Sequence, residues 1–172
     1  MTQVEIRALT ADDVELYWHC RLEALEREPE AFSSSVEDHL KLSRDEIRRR
    51  LTADPANNFV CGVFVDGKLL GTAGFARETQ PKSRHKGRIW GVYLCAELRR
   101  QGIGRRMVRA VVERAAKVEG VEQIVLSVTT TQAAAIASYR SLGFVSFGVE
   151  PKALKIGDRY IDEVYMALQL RP

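Results

Sequence analysis

Arg99-Arg100-Gln101-Gly102-Ile103-Gly104-Arg105-Arg106 lies between an apolar, strand-like segment, Ile89-Trp90-Gly91-Val92-Tyr93-Leu94, and an amphipathic helical pattern opening Met107-Val108-Arg109-Ala110-Val111-Val112. Two glycines one residue apart let the backbone turn tightly, and the first turn of the following helix leaves N–H donors unpaired. An anion is the natural occupant. The helix dipole favours negative charge by about 0.3–1 kcal/mol, and each hydrogen bond to a charged oxygen contributes about 1.5–3 kcal/mol. The stretch has no G-x-x-x-x-G-K-[ST] and no G-x-G-x-x-G, so two common nucleotide loops are excluded. What remains is [R/Q]-x-x-G-x-[G/A], with Arg99, Gly102 and Gly104 at the fixed positions.

A second segment follows at a distance. Gln132-Ala133-Ala134-Ala135-Ile136-Ala137-Ser138-Tyr139-Arg140-Ser141-Leu142-Gly143-Phe144 reads as an alanine-rich helix with Gly143 in the position of a C-terminal cap, delivering Phe144 into a strand. Together the two segments resemble the acetyl-coenzyme A loop and the N-x-x-A-x-x-L-Y-x-x-L-G-F pattern of the GNAT superfamily of N-acetyltransferases. Two positions depart from it: Gln132 stands where asparagine is usual, lengthening the arm that meets the pantetheine chain, and Ser138 stands where leucine is usual.

Around these segments, periodicity and turn chemistry supply the remaining elements. Val4 to Leu9 alternates like a strand. Thr10 caps a helix running to about Glu26, and Ser43 with Glu46 forms a capping box for a helix through about Leu51, with loop between Ala31 and Ser35. Phe59–Val65 and Leu69–Arg77 flank an Asp66-Gly67 hairpin turn. Gly87–Leu94 is the central strand. The helix from about Gly102 to Val118 buries Ile103, Met107, Val108, Val111, Val112 and Ala115, and Gln123–Val128 is an apolar strand. Phe144–Val149 and Tyr160–Leu170 form a last hairpin. The order β-α-α-β-β-β-α-β-α-β-β is that of the GNAT fold. The resemblance therefore implies an α/β chain, a single domain over residues 1–172 with a mixed central sheet flanked by helices.

The 172 residues are 45% hydrophobic and 28% charged, enough for one core, and no apolar stretch approaches the roughly 20 residues of a membrane span. The first residues lack the regions of a signal peptide, so the expected compartment is the cytoplasm. Cys20, Cys61 and Cys95 have no metal-type spacing, and the histidines are scattered, so no metal site is expected. Cys95 is read as a small semi-buried residue rather than a reactive one. Between Lys82 and Arg109 nine basic residues face one acid, whereas the rest of the chain carries an acidic excess. Few aromatics interleave with these charges, so a phosphate-bearing cofactor explains the patch better than nucleic acid.

The resemblance implies direct transfer of an acetyl group from acetyl-CoA, as cosubstrate, to a primary amine: a small amine, an amino acid, an antibiotic or a peptide amino terminus. A non-catalytic acyl-CoA-binding sensor or interaction module is the alternative, and a homodimer is left open. By the same resemblance, the backbone of Val92, Tyr93 and Leu94 pairs with the pantetheine arm, and an N–H near Val92 meets the oxyanion. Arg99, Arg100, Gln101, Gly102, Ile103, Gly104 and Arg105 hold the pyrophosphate, Gln132 meets the pantetheine, and Tyr139 gives a proton to the departing thiolate. Glu78, Glu97, Asp162 and Glu163 are placed to be the base by location, and none is singled out. Acids in Glu26–Glu30, Glu37-Asp38 and the last hairpin suit a cationic acceptor.

Overall fold

The computed structural model describes residues 3–170. Among the described residues twelve strands and α-helices follow one another: β1 (Val4–Ala8), α1 (Val14–Arg27), α2 (Val36–Leu40), α3 (Arg44–Thr52), β2 (Asn58–Val65), β3 (Lys68–Arg77), β4 (Lys86–Leu94), α4 (Ile103–Ala115), β5 (Gln123–Thr129), α5 (Ala133–Ser141), β6 (Val145–Ile156) and β7 (Arg159–Gln169), with a short 3-10 turn at Ala11–Asp13 ahead of α1. The strands form one mixed sheet in the order β1-β2-β3-β4-β5-β7-β6. Among the described residues only β4 and β5 pair in parallel, across the α4 crossover.

Strand alternation sorts the core into two layers. Phe59, Cys61 and Val63 of β2 face Met107, Val108 and Val111 of α4, while Val60 and Phe64 face Tyr17 and Ala24 of α1 and Ile47 and Leu51 of α3. Met107, Val111 and Ile47 are fully buried, each stabilising the fold by about 1.5–3 kcal/mol. Helix starts follow the side-chain oxygens of their caps. Thr10 with Asp13, Ser35 with Asp38 and Ser43 with Glu46 each form a reciprocal capping box.

Three boundaries differ from the sequence reading. Ser35 and Asp38 cap an additional short helix, α2, in a segment too short to show periodicity. Helix α4 ends at Ala115 rather than near Val118. Strand β6 runs to Ile156 rather than stopping near Val149, because register shifts between Ser146 and Gly148 and between Glu150 and Leu154 let it follow β7 through irregular stretches that hide its alternation.

Candidate active site

The central strands separate where the site lies. β4 and β5 pair only from Lys86–Arg88 against Gln123–Val125. Beyond that point β5 stays on β7 as far as Thr129 opposite Glu163, and β4 stays on β3 as far as Leu94 opposite Gly71. The β4 edge from Ile89 to Leu94 is thus left without a strand neighbour on its β5 side. A bulge sharpens the divergence: Gly74 faces Trp90 but Thr72 faces Tyr93, so β4 carries one extra residue. Gly91 absorbs it at φ +60°, a conformation that disfavours side chains. Thr72, buried, donates through Oγ1 to the Gly91 carbonyl at 3.3 Å.

Beyond Leu94 the chain turns into the basic loop. Arg100 (φ 61°) and Gly102 (φ 73°) are both left-handed, and Gly102 caps α4 without a side chain of its own. A Cβ at Gly102 would meet no described atom within 4 Å, and one at Gly104 would sit 3.6 Å from Leu94 Cδ2. The first N–H groups of α4, those of Ile103, Gly104 and Arg105, have no intrahelical acceptor. An open cradle lined by N–H donors at a positive helix end fits a pyrophosphate.

The loop's side chains divide between bracing and solvent. Arg99 Nε donates to the Leu94 carbonyl at 2.9 Å, and its Nη2 pairs with Glu28 at 2.7 Å. Gln101 Nε2 donates to the Glu97 carbonyl at 2.8 Å, and Arg105 Nη2 to the Ser141 carbonyl at 3.3 Å, tying α4 to the end of α5. Arg99, Gln101 and Arg105 therefore shape the loop, whereas Arg100 is exposed.

Tyr139 of α5 belongs to the core layer that α4 also packs into. It is buried, its ring edge-on to Phe144 at 5.9 Å between centroids. Burial alone pushes its phenol well above the ordinary value, so it stays protonated at neutral pH. Gln132, half-buried, precedes α5, and its backbone N–H donates to the Thr129 carbonyl at 3.0 Å. Tyr93 turns its side chain the other way, with Oη donating to Glu23 of α1 at 2.9 Å, so only its backbone belongs to the open edge.

The acids named from sequence are mostly occupied. Glu28 pairs with Arg99, and Glu30 pairs with Arg159 at 2.8 Å, pinning the segment between α1 and α2 to both the basic loop and the start of β7. The Asp38 carboxylate accepts from the Ser35 Oγ–H at 2.8 Å in the capping box of α2, and Asp162 accepts from the Lys152 N–H at 2.7 Å. Glu78 stands 3.9 Å from Arg88. Cys95 is buried, and its thiol is pushed up by burial and by its hydrogen bond to Glu97, which suits a packing role.

One buried cation on the α1 side of the sheet escaped the sequence reading. Arg21 of α1 is 7% exposed, with its guanidinium 4.4 Å over the Phe32 ring, and among the described residues its Nη1 has no hydrogen-bond partner; nor have Tyr17 Oη and Trp18 Nε1 on the same helix turns. The signal was available in the spacing. Tyr17, Cys20, Arg21 and Ala24 recur at helical intervals, which places an arginine on the buried stripe.

Residues 15–144 match the model of the acetyltransferase (GNAT) family. The chain is 30% identical over 107 residues to an L-methionine sulfoximine/L-methionine sulfone acetyltransferase of Pseudomonas aeruginosa, a match covering 62% of this chain and 61% of that protein. It is 33% identical over 82 residues to N-acetyltransferase 8 of Homo sapiens, covering 47% of this chain and 36% of that one. The chain thus spans about three fifths or less of these relatives. In fold it is similar to a GNAT-family acetyltransferase of Streptococcus pneumoniae (TM-score 0.87, 21% identity, covering 97% of this chain and 99% of that one). It is also similar to a Salmonella typhimurium protein solved with its cofactor acetyl-CoA (TM-score 0.84, 20% identity, covering 99% and 96%).

Proposed function

The chain belongs to the acetyltransferase (GNAT) family, and from that premise we propose that it transfers an acetyl group from acetyl-CoA to a primary amine. The observation that carries this reading is the unpaired β4 edge running directly into the N–H-lined cradle at the start of α4. Support also comes from the Pseudomonas aeruginosa relative, whose named acceptors are amino-acid analogues.

When bound, acetyl-CoA supplies the activated acyl group. The N–H groups of Ile103, Gly104 and Arg105 hold its pyrophosphate, and the edge from Val92 to Leu94 holds the pantetheine arm as an added strand. A backbone N–H near Val92 stabilises the oxygen on which negative charge develops, without reorganisation at the moment of reaction. Tyr139 carries a proton at neutral pH and gives it to the departing sulfur. The conjugate thiol has an ordinary pKa of about 8.5, below that of the phenol, so Tyr139 acts by hydrogen bonding to the sulfur as charge develops and passing the proton in step with C–S cleavage, and the phenol regains a proton from the one the attacking amine releases. Holding both reactants in one groove supplies several kcal/mol of the barrier. The proposed setting is the cytoplasm.

Titration calorimetry with acetyl-CoA, together with thiol release across a panel of amines, tests the reading. Wild type should bind, and Gly104→Asp should lose binding by more than tenfold, because a carboxylate beside Leu94 opposes the pyrophosphate. Absence of binding at millimolar acetyl-CoA would remove the proposal. Binding with no thiol release for any amine would assign an acyl-CoA sensor instead.

A further inference from the structure

The α1 side of β4 carries a charge that acetyl transfer itself does not use. Arg21 is a fixed cation, 7% exposed, and Tyr17, Arg50 and Cys20 are the groups that act most on its charge, with no carboxylate among them. A guanidinium buried without a counter-ion is costly, and such a residue persists where something outside the fold completes it. Its unpartnered Nη1 points at the bulge of β4: a Cβ on Gly91 would stand 3.6 Å from it. That bulge is where β4 has already left β5, on the sheet face opposite α4.

The surroundings suit a small anion with an apolar tail. Tyr17 Oη and Trp18 Nε1 are two further buried donors without acceptors on the same turns of α1. Phe32 covers the guanidinium from the segment that Glu28 and Glu30 pin in place. Arg50, 5.7 Å from the Trp90 ring, lines with Trp90, Arg49, Glu46 and Asp54 a neighbouring surface cavity of about 440 Å³ to which Arg21 itself does not contribute. Glu28 and Glu30 are paired to Arg99 and Arg159, Glu46 accepts from Ser43 and Asp54 from Asn57, so none of these nearby acids is the partner of Arg21.

We propose that Arg21 anchors a carboxylate on the acceptor, so that the amine acetylated is that of a free amino acid. An α-amino acid carries its amine one carbon from its carboxylate, and an anchor beside the bulge therefore delivers that amine to the β4 edge. The inference rests on the acetyl-transfer reading for its chemistry, but the carboxylate site is measurable without turnover. The chain's two tryptophans, Trp18 and Trp90, sit on this face of β4.

The test compares the common L-amino acids with their α-amides in two assays. One follows tryptophan fluorescence in the presence of CoA, and the other follows thiol release from acetyl-CoA. At least one acid should bind and react tenfold or more better than its amide. Arg21→Met should abolish that preference while leaving use of the amide within about twofold, and Arg21→Lys should restore part of it. Because Met removes an uncompensated charge, its Tm should equal or exceed wild type. Equal use of acid and amide by wild type, no acid-specific binding or turnover, or an Arg21→Met variant that melts several degrees lower and loses both substrates equally would each overturn the assignment. Failure to bind acetyl-CoA in calorimetry would instead strike the acetyl-transfer reading, while the fluorescence titration would still decide the carboxylate site.

Discussion

Tyr139 is a buried packing residue for which a second role, proton donation to the departing sulfur, is proposed. The ring fills space against Phe144, and the same burial keeps the phenol protonated. Tyr139→Phe retains the ring, so melting temperature and acetyl-CoA affinity should survive while kcat falls on the order of 10²-fold, the usual scale for a lost general acid. A fully active phenylalanine variant would leave Tyr139 a packing residue. Its packing position could be inferred from the helix pattern around it, because Gly143 and Phe144 follow at fixed local spacing, whereas the proton-donor role comes only from the family resemblance. The engagement of Arg99 could not be inferred in the same way. Its partners are the Leu94 carbonyl and Glu28, the latter brought in from 71 positions earlier in the chain by packing alone.

At the scale of elements, the join between β1 and α1 shows how one carboxylate organises a corner. Asp13, 4% exposed, accepts from Arg7 Nη1 at 2.7 Å and Nη2 at 2.9 Å, and from the Thr10 N–H at 2.8 Å. The Arg7 hydrogen bond holds its pKa below the ordinary carboxylate value. A depressed folded pKa contributes stability that is present above the unfolded value of about 3.9 and lost as pH falls through the folded one. Asp13→Asn should therefore destabilise at neutral pH by about 2 kcal/mol, a figure kept low because Arg7 is partly exposed. Thermal melts should show the gap between wild type and variant closing below about pH 4; a gap constant from pH 7 to pH 2.5 would show that the ion pair contributes nothing. The capping residues of this corner and of α3 were legible in the sequence, since Thr10 with Asp13 and Ser43 with Glu46 act over three residues. The length of β6 was not, because only its partner β7 carries it through two irregular stretches.

Across the whole molecule, a ligand that binds only the folded chain stabilises all of it. Acetyl-CoA at a hundred times its dissociation constant should add about 2.7 kcal/mol, which for a chain of this size raises Tm by roughly 5–10 °C. Scanning calorimetry checks this, and dephosphorylated or adenine-free analogues should shift Tm less; an unchanged Tm at saturating acetyl-CoA would contradict the proposed site. The sequence alone determined the α/β architecture, the glycine turn at Gly102 and Gly104 that opens a helix, and the helix that carries Tyr139. Each of these depends on turn chemistry, caps or hydrophobic periods that act within a few residues of chain. Only the tertiary structure decided where β4 leaves β5, which arginines brace the loop, that Glu28 and Glu30 are neutralised, and that Arg21 is buried without a counter-ion. Strand pairing and charge compensation join residues far apart in the chain, and the packing of the sheet between its two helical layers selects those partners.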